Sequence, residues 1–278
     1  MGIVQGMTTF DQATRATRAD ATTYDVRLDD GYAAAGRLNG GYLLAVLARA
    51  AVDASPFEHP ISTAAQFLRS PAPGPATVRV EPLRAGRSTA MVRATLVQDG
   101  AAHVEALITN ATLTTGAEPD WSAEPPRMPP PAECAALPAP KPESGMTLSA
   151  RLDLLFDPDT IGWRHGAASG RPETRAWFRM VEPVEPDPYV LALAVDSMPP
   201  VVYSAGFRGW APTVELTWHL RALPAPGPLL LAATGRLVSD GRFDEDVEVW
   251  DAKGRLVAQS RQLALLGRVA PPERSRRP

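Results

Sequence analysis

A few short strings in this sequence carry residues able to do chemistry. Asp196 follows the apolar run Leu191-Ala192-Leu193-Ala194-Val195, near the end of a stretch that reads as a buried helix. Burial disfavours the charged form of a carboxylate, raises its pKa and makes it a better base near neutral pH. The plainer reading is a capping or turn residue before Ser197-Met198-Pro199-Pro200. Thr213 and Thr217 stand in the strand-like string Thr213-Val214-Glu215-Leu216-Thr217. A hydroxyl both donates and accepts hydrogen bonds, yet threonine is also an ordinary strand residue. Four residues apart, the two are expected on one face of a regular strand, with His219 alternating beside them. Gln262 offers an amide that donates and accepts, or fills a solvent-facing strand position. Gly40-Gly41 open an apolar stretch. A helix starting there presents free amides and partial positive charge to an oxyanion; equally, glycine there allows close helix packing.

These residues need a frame. Residues 118–143 hold nine prolines in 26 positions, which forbids helix and interrupts sheet ladders. They read as an extended connector that Trp121 and Leu137 can pin to the surface. The expected partition is an N-terminal domain over 1–117, a proline-rich linker over 118–149 and a C-terminal domain over 150–278. The halves carry matching landmarks. Pro71-Ala72-Pro73-Gly74-Pro75 answers Pro224-Ala225-Pro226-Gly227-Pro228 at an offset of 153, Gly86-Arg87 answers Gly241-Arg242 at 155, and Gly100 answers Gly254 at 154. Nearly one offset points to an internal duplication. Each half also repeats an order: a helix candidate (residues 42–54, then 188–197), followed by strand-like segments such as Thr77-Val78-Arg79-Val80 with period-two alternation. Asp99-Gly100 supplies the positive φ angles of a tight hairpin. Each half therefore reads as one long helix plus an antiparallel meander, an α+β unit. At the repeat offset Gln262 falls on Ile108 or Thr109 and Thr213 on His59 or Pro60, so one active site per chain is expected.

Composition sets further bounds. The chain has 278 residues, enough for about two domains. Its net charge of −3 argues against a nucleic-acid partner, which calls for a basic face. Cys134 is the single cysteine, so neither an internal disulfide nor a cysteine-built metal site is available. The four histidines, His59, His103, His165 and His219, show no metal-ligand spacing. Residues 1–20 have no apolar core of a leader, and Met1-Gly2-Ile3-Val4-Gln5-Gly6 lacks the Ser/Thr of a myristoylation signal. The longest helical apolar stretch, residues 42–52, is interrupted by Arg49 and is too short to span a bilayer. A cytoplasmic protein without a membrane partner is expected.

One apolar helix opened by Gly-Gly, followed by an antiparallel meander and then duplicated, resembles the double hotdog fold. Four strings are similar to those of the acyl-CoA thioesterase II (TesB-like) family: Asn39-Gly40-Gly41-Tyr42 at the first helix, Ala194-Val195-Asp196, Pro212-Thr213-Val214-Glu215-Leu216-Thr217, and Ser260-Arg261-Gln262 on the last strand. Members often have His or Phe where Asn39 stands. The resemblance covers about residues 25–115 and 150–267. It implies hydrolysis of acyl-CoA to free acid and CoA without a cofactor, in lipid metabolism, by a homo-oligomer. It also implies Asp196 as the catalytic aspartate, Thr213 (or Thr217) as the hydroxyl and Gln262 as the catalytic glutamine.

Such a reaction needs a held and deprotonated water, donors for the oxyanion and a groove for the acyl chain. Asp196, Thr213 and Gln262 would fix the water, and Gly40 and Gly41 are the candidate oxyanion donors. Arg84, Arg87, Arg208 and Arg221 are candidates for CoA phosphates, or are solvated surface charge. No Gly-x-Ser-x-Gly elbow, Gly-x-Gly-x-x-Gly or P-loop is present, nor a hydratase-like Gly-Asp-x-Asn-Pro string. The alternative is an inactive double hotdog that binds acyl-CoA or another lipid.

Overall fold

A computed structural model describes residues 9–267; the Met1-Gly2 start lies outside them. The first half contributes strands β1 (Thr23–Leu28), β2 (His59–Phe67), β3 (Gly74–Ala85), β4 (Ala90–Gln98) and β5 (Ala101–Ala111), with helix α1 (Gly40–Asp53) between β1 and β2. The second contributes β6 (Glu173–Met180), β7 (Thr213–Leu220), β8 (Leu229–Thr234), β9 (Arg242–Trp250) and β10 (Leu256–Leu265), with helix α2 (Pro188–Ala194) between β6 and β7. All ten join one antiparallel sheet in the order β1-β3-β4-β5-β2-β7-β10-β9-β8-β6, with short edge strands beyond. The second half thus repeats the first in reverse order across the β2–β7 junction, where Thr63 stands opposite Trp218. Two sheet halves wrapped round two central helices make the chain an α+β double hotdog.

The strands show why the sheet curls inward. On β4, Ala90, Val92, Ala94 and Leu96 are buried while Met91 and Arg93 face out, the alternation of a half-buried strand. Helix α1 is apolar nearly all round, with Leu43, Leu44 and Leu47 fully buried, as a helix enclosed by sheet must be. Asn39 starts it: its Oδ1 accepts from the Tyr42 amide at 2.9 Å, satisfying a donor that an uncapped helix end leaves free. The tight hairpin forms as expected, with φ of 50° at Asp99 and 77° at Gly100.

Two expectations need correction. The second helix is not long. It covers 7 residues against 14 in α1. Pro199 disfavours helical backbone at Met198, and the end tightens before it: the amides of Asp196 and Ser197 donate to Leu193 and Ala194. Trp121 does not pin the proline-rich segment, being 83% exposed. Leu137 does pack, against Phe156, Ile161 and Ala176, and Trp177 Nε1 donates to the Pro129 carbonyl at 2.8 Å.

The two helices meet backbone to backbone at Gly41. A Cβ there would lie 2.4 Å from the Ala192 carbonyl oxygen and 3.0 Å from Leu193 Cα, neither of which can swing away. Gly41→Ala is therefore expected to cost about 1–3 kcal/mol, the usual price of overpacking, and to lower the melting temperature in a calorimetric scan.

Candidate active site

Asp196 lies just past the C-terminus of α2, where α2 meets the start of α1. Its Oδ2 accepts from Asn39 Nδ2 at 2.9 Å and from the Gly41 amide at 3.0 Å. Asn39 Nδ2 also reaches the Asp196 carbonyl at 2.7 Å. One residue, Asn39, thus caps α1 with its oxygen and grips Asp196 with its nitrogen. A Cβ on Gly40 would sit 2.8 Å from Asp196 Oδ2 and 3.0 Å from Phe67 Cζ, so the carboxylate nests against the glycine backbone. Burial pushes Asp196 up to about 6, against the opposing pull of the Gly41 and Gly40 amides and the Asn39 side chain. The residue nevertheless keeps a partial opening to solvent, as a group that exchanges a proton requires.

Gly40 and Gly41 were candidates either for oxyanion donors or for close packing. The structure gives both a packing role and commits the Gly41 amide to Asp196. The first half therefore contributes the clamp on the carboxylate. Sequence reasoning missed Asn39 as a member of this site. The available signal was Asn immediately before a Gly-Gly helix start, a preferred cap.

A second set of groups runs from the sheet. Thr213 Oγ1 donates to Gln262 Oε1 at 2.6 Å. Gln262 Nε2 donates to Glu245 Oε1 at 2.8 Å, and Glu245 Oε2 accepts from the Val201 amide at 2.6 Å. Glu245 and Gln262 are directly opposite on β9 and β10, and both are buried. Thr213 is partly open. Burial pushes Glu245 up to about 7; the Val201 and Gln262 donors oppose this, while Asp196 and Asp246 add to it. That Asp196 acts on Glu245 places the two carboxylates in electrostatic reach. Glu245 was also missed in the sequence.

The expected common face of Thr213 and Thr217 is not found. A register shift between Thr213 and Glu215 marks a bulge on β7. One extra residue reverses the side on which every earlier residue points. Thr213 therefore faces inward to Gln262, whereas Thr217 faces outward and donates to Glu215 Oε1 at 2.6 Å. His219 is exposed on that same outer face, away from Thr213. Thr217 and His219 line an outer cleft of about 450 Å³ with Arg175, Arg236, Glu248 and Arg261. Of the four arginines, Arg208 spends its guanidinium on the carbonyls of Trp163, Tyr203 and Phe207, and Arg84, Arg87 and Arg221 are exposed.

Comparison with known proteins decides the family. Residues 28–116 match the acyl-CoA thioesterase N-terminal domain and residues 131–266 the acyl-CoA thioesterase C-terminal domain. The chain belongs to the acyl-CoA thioesterase family. A Thermobifida fusca protein proposed to be a thioesterase II has a similar structure, with 42% identity, a TM-score of 0.88, and coverage of 96% of this chain and 100% of that one. An acyl-CoA thioesterase II from Mycobacterium marinum shares the fold at 20% identity and a TM-score of 0.72, covering 95% of this chain and 99% of that one. An uncharacterized Mycobacterium tuberculosis protein is 29% identical over 271 residues, covering 87% of this chain and 90% of that protein. This thioesterase is accordingly a thioester hydrolase. Among its described residues, no helix is long and apolar enough to cross a membrane.

The buried carboxylates give the thioesterase a pH-dependent stability. A carboxyl group whose folded pKa is raised binds its proton more tightly in the native state, so it weakens folding as pH rises from the unfolded to the folded value. For Asp196 that window runs from 3.8 to about 6, and for Glu245 from 4.5 to about 7. At about 1.4 kcal/mol per pKa unit, Asp196 costs on the order of 3 kcal/mol above that window. Asp196→Asn is expected to melt at a higher temperature than the parent at pH well above 6, with the gain fading as pH falls towards 4; melting curves across that range check it.

Proposed function

We propose that the chain hydrolyses acyl-CoA, with Asp196 as general base and Thr213 and Gln262 orienting the attacking water. The observation that carries this reading is the grip on Asp196: a carboxylate pushed up to about 6, clamped by Asn39 and the α1 amides yet partly open. A base with a pKa near the working pH is the efficient one, and holding the water removes orientational entropy from the barrier. The inward turn of Thr213 through the β7 bulge supports Thr213 over Thr217 as the hydroxyl.

The steps balance without a cofactor. Water oxygen bonds to the thioester carbonyl carbon as Asp196 takes its proton, and the carbonyl electron pair moves onto oxygen. Collapse of this intermediate breaks the carbon–sulfur bond. Asp196 returns the proton to the departing thiolate, leaving free acid and CoA. On this proposal the protein acts in lipid metabolism.

Homo-oligomerisation forms part of the proposal. Met91, Leu107, Leu263 and Leu265 are 38–44% exposed on the outer face of β4, β5 and β10, an apolar set suited to a second copy. Sedimentation velocity is expected to give a mass above the 29.7 kDa chain; a monomer at all concentrations overturns this.

Catalysis is tested by CoA thiol release across an acyl-CoA panel. Asp196→Ala is expected to reduce kcat by about 10²–10⁴-fold, the usual contribution of a positioned base, and Thr213→Val to reduce it as well, while Thr217→Val stays at parental turnover. No release by the folded parent on any acyl-CoA sinks the thioesterase reading. Loss with Thr217→Val but not with Thr213→Val reverses the hydroxyl assignment.

A further inference from the structure

We infer that Glu245 is a positioning residue that fixes the direction of the hydrogen bonds running from β9 to Thr213. This rests on the thioesterase reading of Asp196, Thr213 and Gln262. An ionised carboxylate only accepts, whereas a glutamine amide has a donating and an accepting side. The orientation of an amide is set by its neighbours. Glu245 has a donor on each oxygen: Gln262 Nε2 at 2.8 Å and the Val201 amide at 2.6 Å. Gln262 must then turn its NH2 toward Glu245 and its carbonyl toward Thr213, 2.6 Å away. Thr213 is left to donate its one hydrogen to Gln262.

That direction matters for a water at the site. With its hydrogen committed, Thr213 presents only lone pairs, so the water donates one hydrogen to Thr213 and the other to Asp196. The free lone pair of the water is then available for the carbonyl carbon. Reversal of the chain would aim the Thr213 hydrogen at the water and occupy the lone pair that must attack. Glu245 touches no reacting atom in this scheme; it acts through Gln262 and Thr213.

Protonation of Glu245 has the same reversing effect, because a carboxylic acid donates to the Gln262 carbonyl and swings its NH2 to Thr213. The charged groups acting on Glu245 are Asp196, beyond α2, and Asp246 on its own strand; both favour the proton, as does burial, giving a pKa of about 7. The chain therefore responds to pH close to neutrality.

Glu245→Gln is the test, because it keeps the shape and removes the charge. The new amide can accept from Val201 and donate to Gln262, which reverses the chain without leaving a buried group unpaired. The expected result is a fold retained by circular dichroism, KM near the parental value, and kcat lower by about ten- to a hundredfold, the scale of a misoriented reactant. The upper ionisation disappears from the pH profile of kcat/KM. The loss does not add to that of Thr213→Val in the double variant, as expected for residues acting through one contact. A readout free of turnover accompanies these. The Gln262 side-chain 15N–1H resonances of the intact protein are expected to shift as pH crosses about 7, and to stay fixed in Glu245→Gln. Parental kcat and pH profile in Glu245→Gln overturn the inference, as does a Gln262 amide that ignores pH. A parent that releases no CoA defeats the thioesterase reading instead, and the resonances then decide the role of Glu245 on their own.

Discussion

The structure turns on a carboxylate largely withdrawn from water and held by the start of a helix. Taking a carboxylate out of water is costly unless donors replace its hydration. Asp196 recovers part of that cost from the Gly41 amide and Asn39 Nδ2, and both donors exist only because α1 begins where α2 ends. That geometry explains other choices. Gly41 has no side chain because α2 backbone occupies the space, and Gly40 has none because Asp196 and Phe67 do. Asn39 must cap and clamp at once, which needs one acceptor and one donor on the same short side chain; Ser or Asp could cap but would bring no comparable amide nitrogen.

The duplication supplies the frame, and its asymmetry supplies the chemistry. The two halves repeat the same strand order about the β2–β7 junction, but their helices differ in length by a factor of two. The shorter α2 stops early enough for residue 196 to meet the N-terminus of α1 instead of continuing along it. The strands diverge in parallel. The matching inward positions opposite one another on β4 and β5 are apolar, Val92 and Ile108. On β9 and β10 they are Glu245 and Gln262. Among the described residues, that charged and amide-bearing pair thus has no like-typed counterpart at the matching positions of the first half.

Much of this was legible in the sequence. Turn glycines, alternation and the repeat offset give the succession of strands along each half, because those signals are local and physical; that β2 leaves the meander to pair with β5 and β7 is a tertiary outcome they do not carry. Asp196 stands out since a carboxylate ending a fully apolar run has few uninteresting explanations. The common face expected of Thr213 and Thr217 fails because a bulge arises from how β7 pairs with β10, and nothing in Pro212-Thr213-Val214 announces it. Glu245 was legible but overlooked. In Phe243-Asp244-Glu245-Asp246-Val247 the inward residues alternate as Phe243, Glu245 and Val247, and an acid among inward apolar residues is the informative exception. Asp244 and Asp246 on either side hide that exception within an acidic run. The length of α2 was overestimated because propensity alone could not weigh the prolines against the helix-forming run before them.

The two carboxylates also explain each other. Alone, each faces the cost of burial, and together each raises the cost of ionising the other. A core selected only for stability would replace both with neutral groups. The sheet instead devotes a glutamine and the Val201 backbone amide to keeping Glu245 ionised, and the helix start devotes Asn39 and Gly41 to Asp196. Such arrangements, in which donors are aimed at charge that would otherwise be lost, are characteristic of sites that must hold a reactive group in a fixed direction. The segment between them, residues 196–201, ties the two together, since one end carries Asp196 and the other carries the Val201 amide that grips Glu245. A displacement of that segment would loosen the grip on Asp196 and on Glu245 at once, so its proline pair, Pro199-Pro200, stiffens the part of the backbone on which both depend.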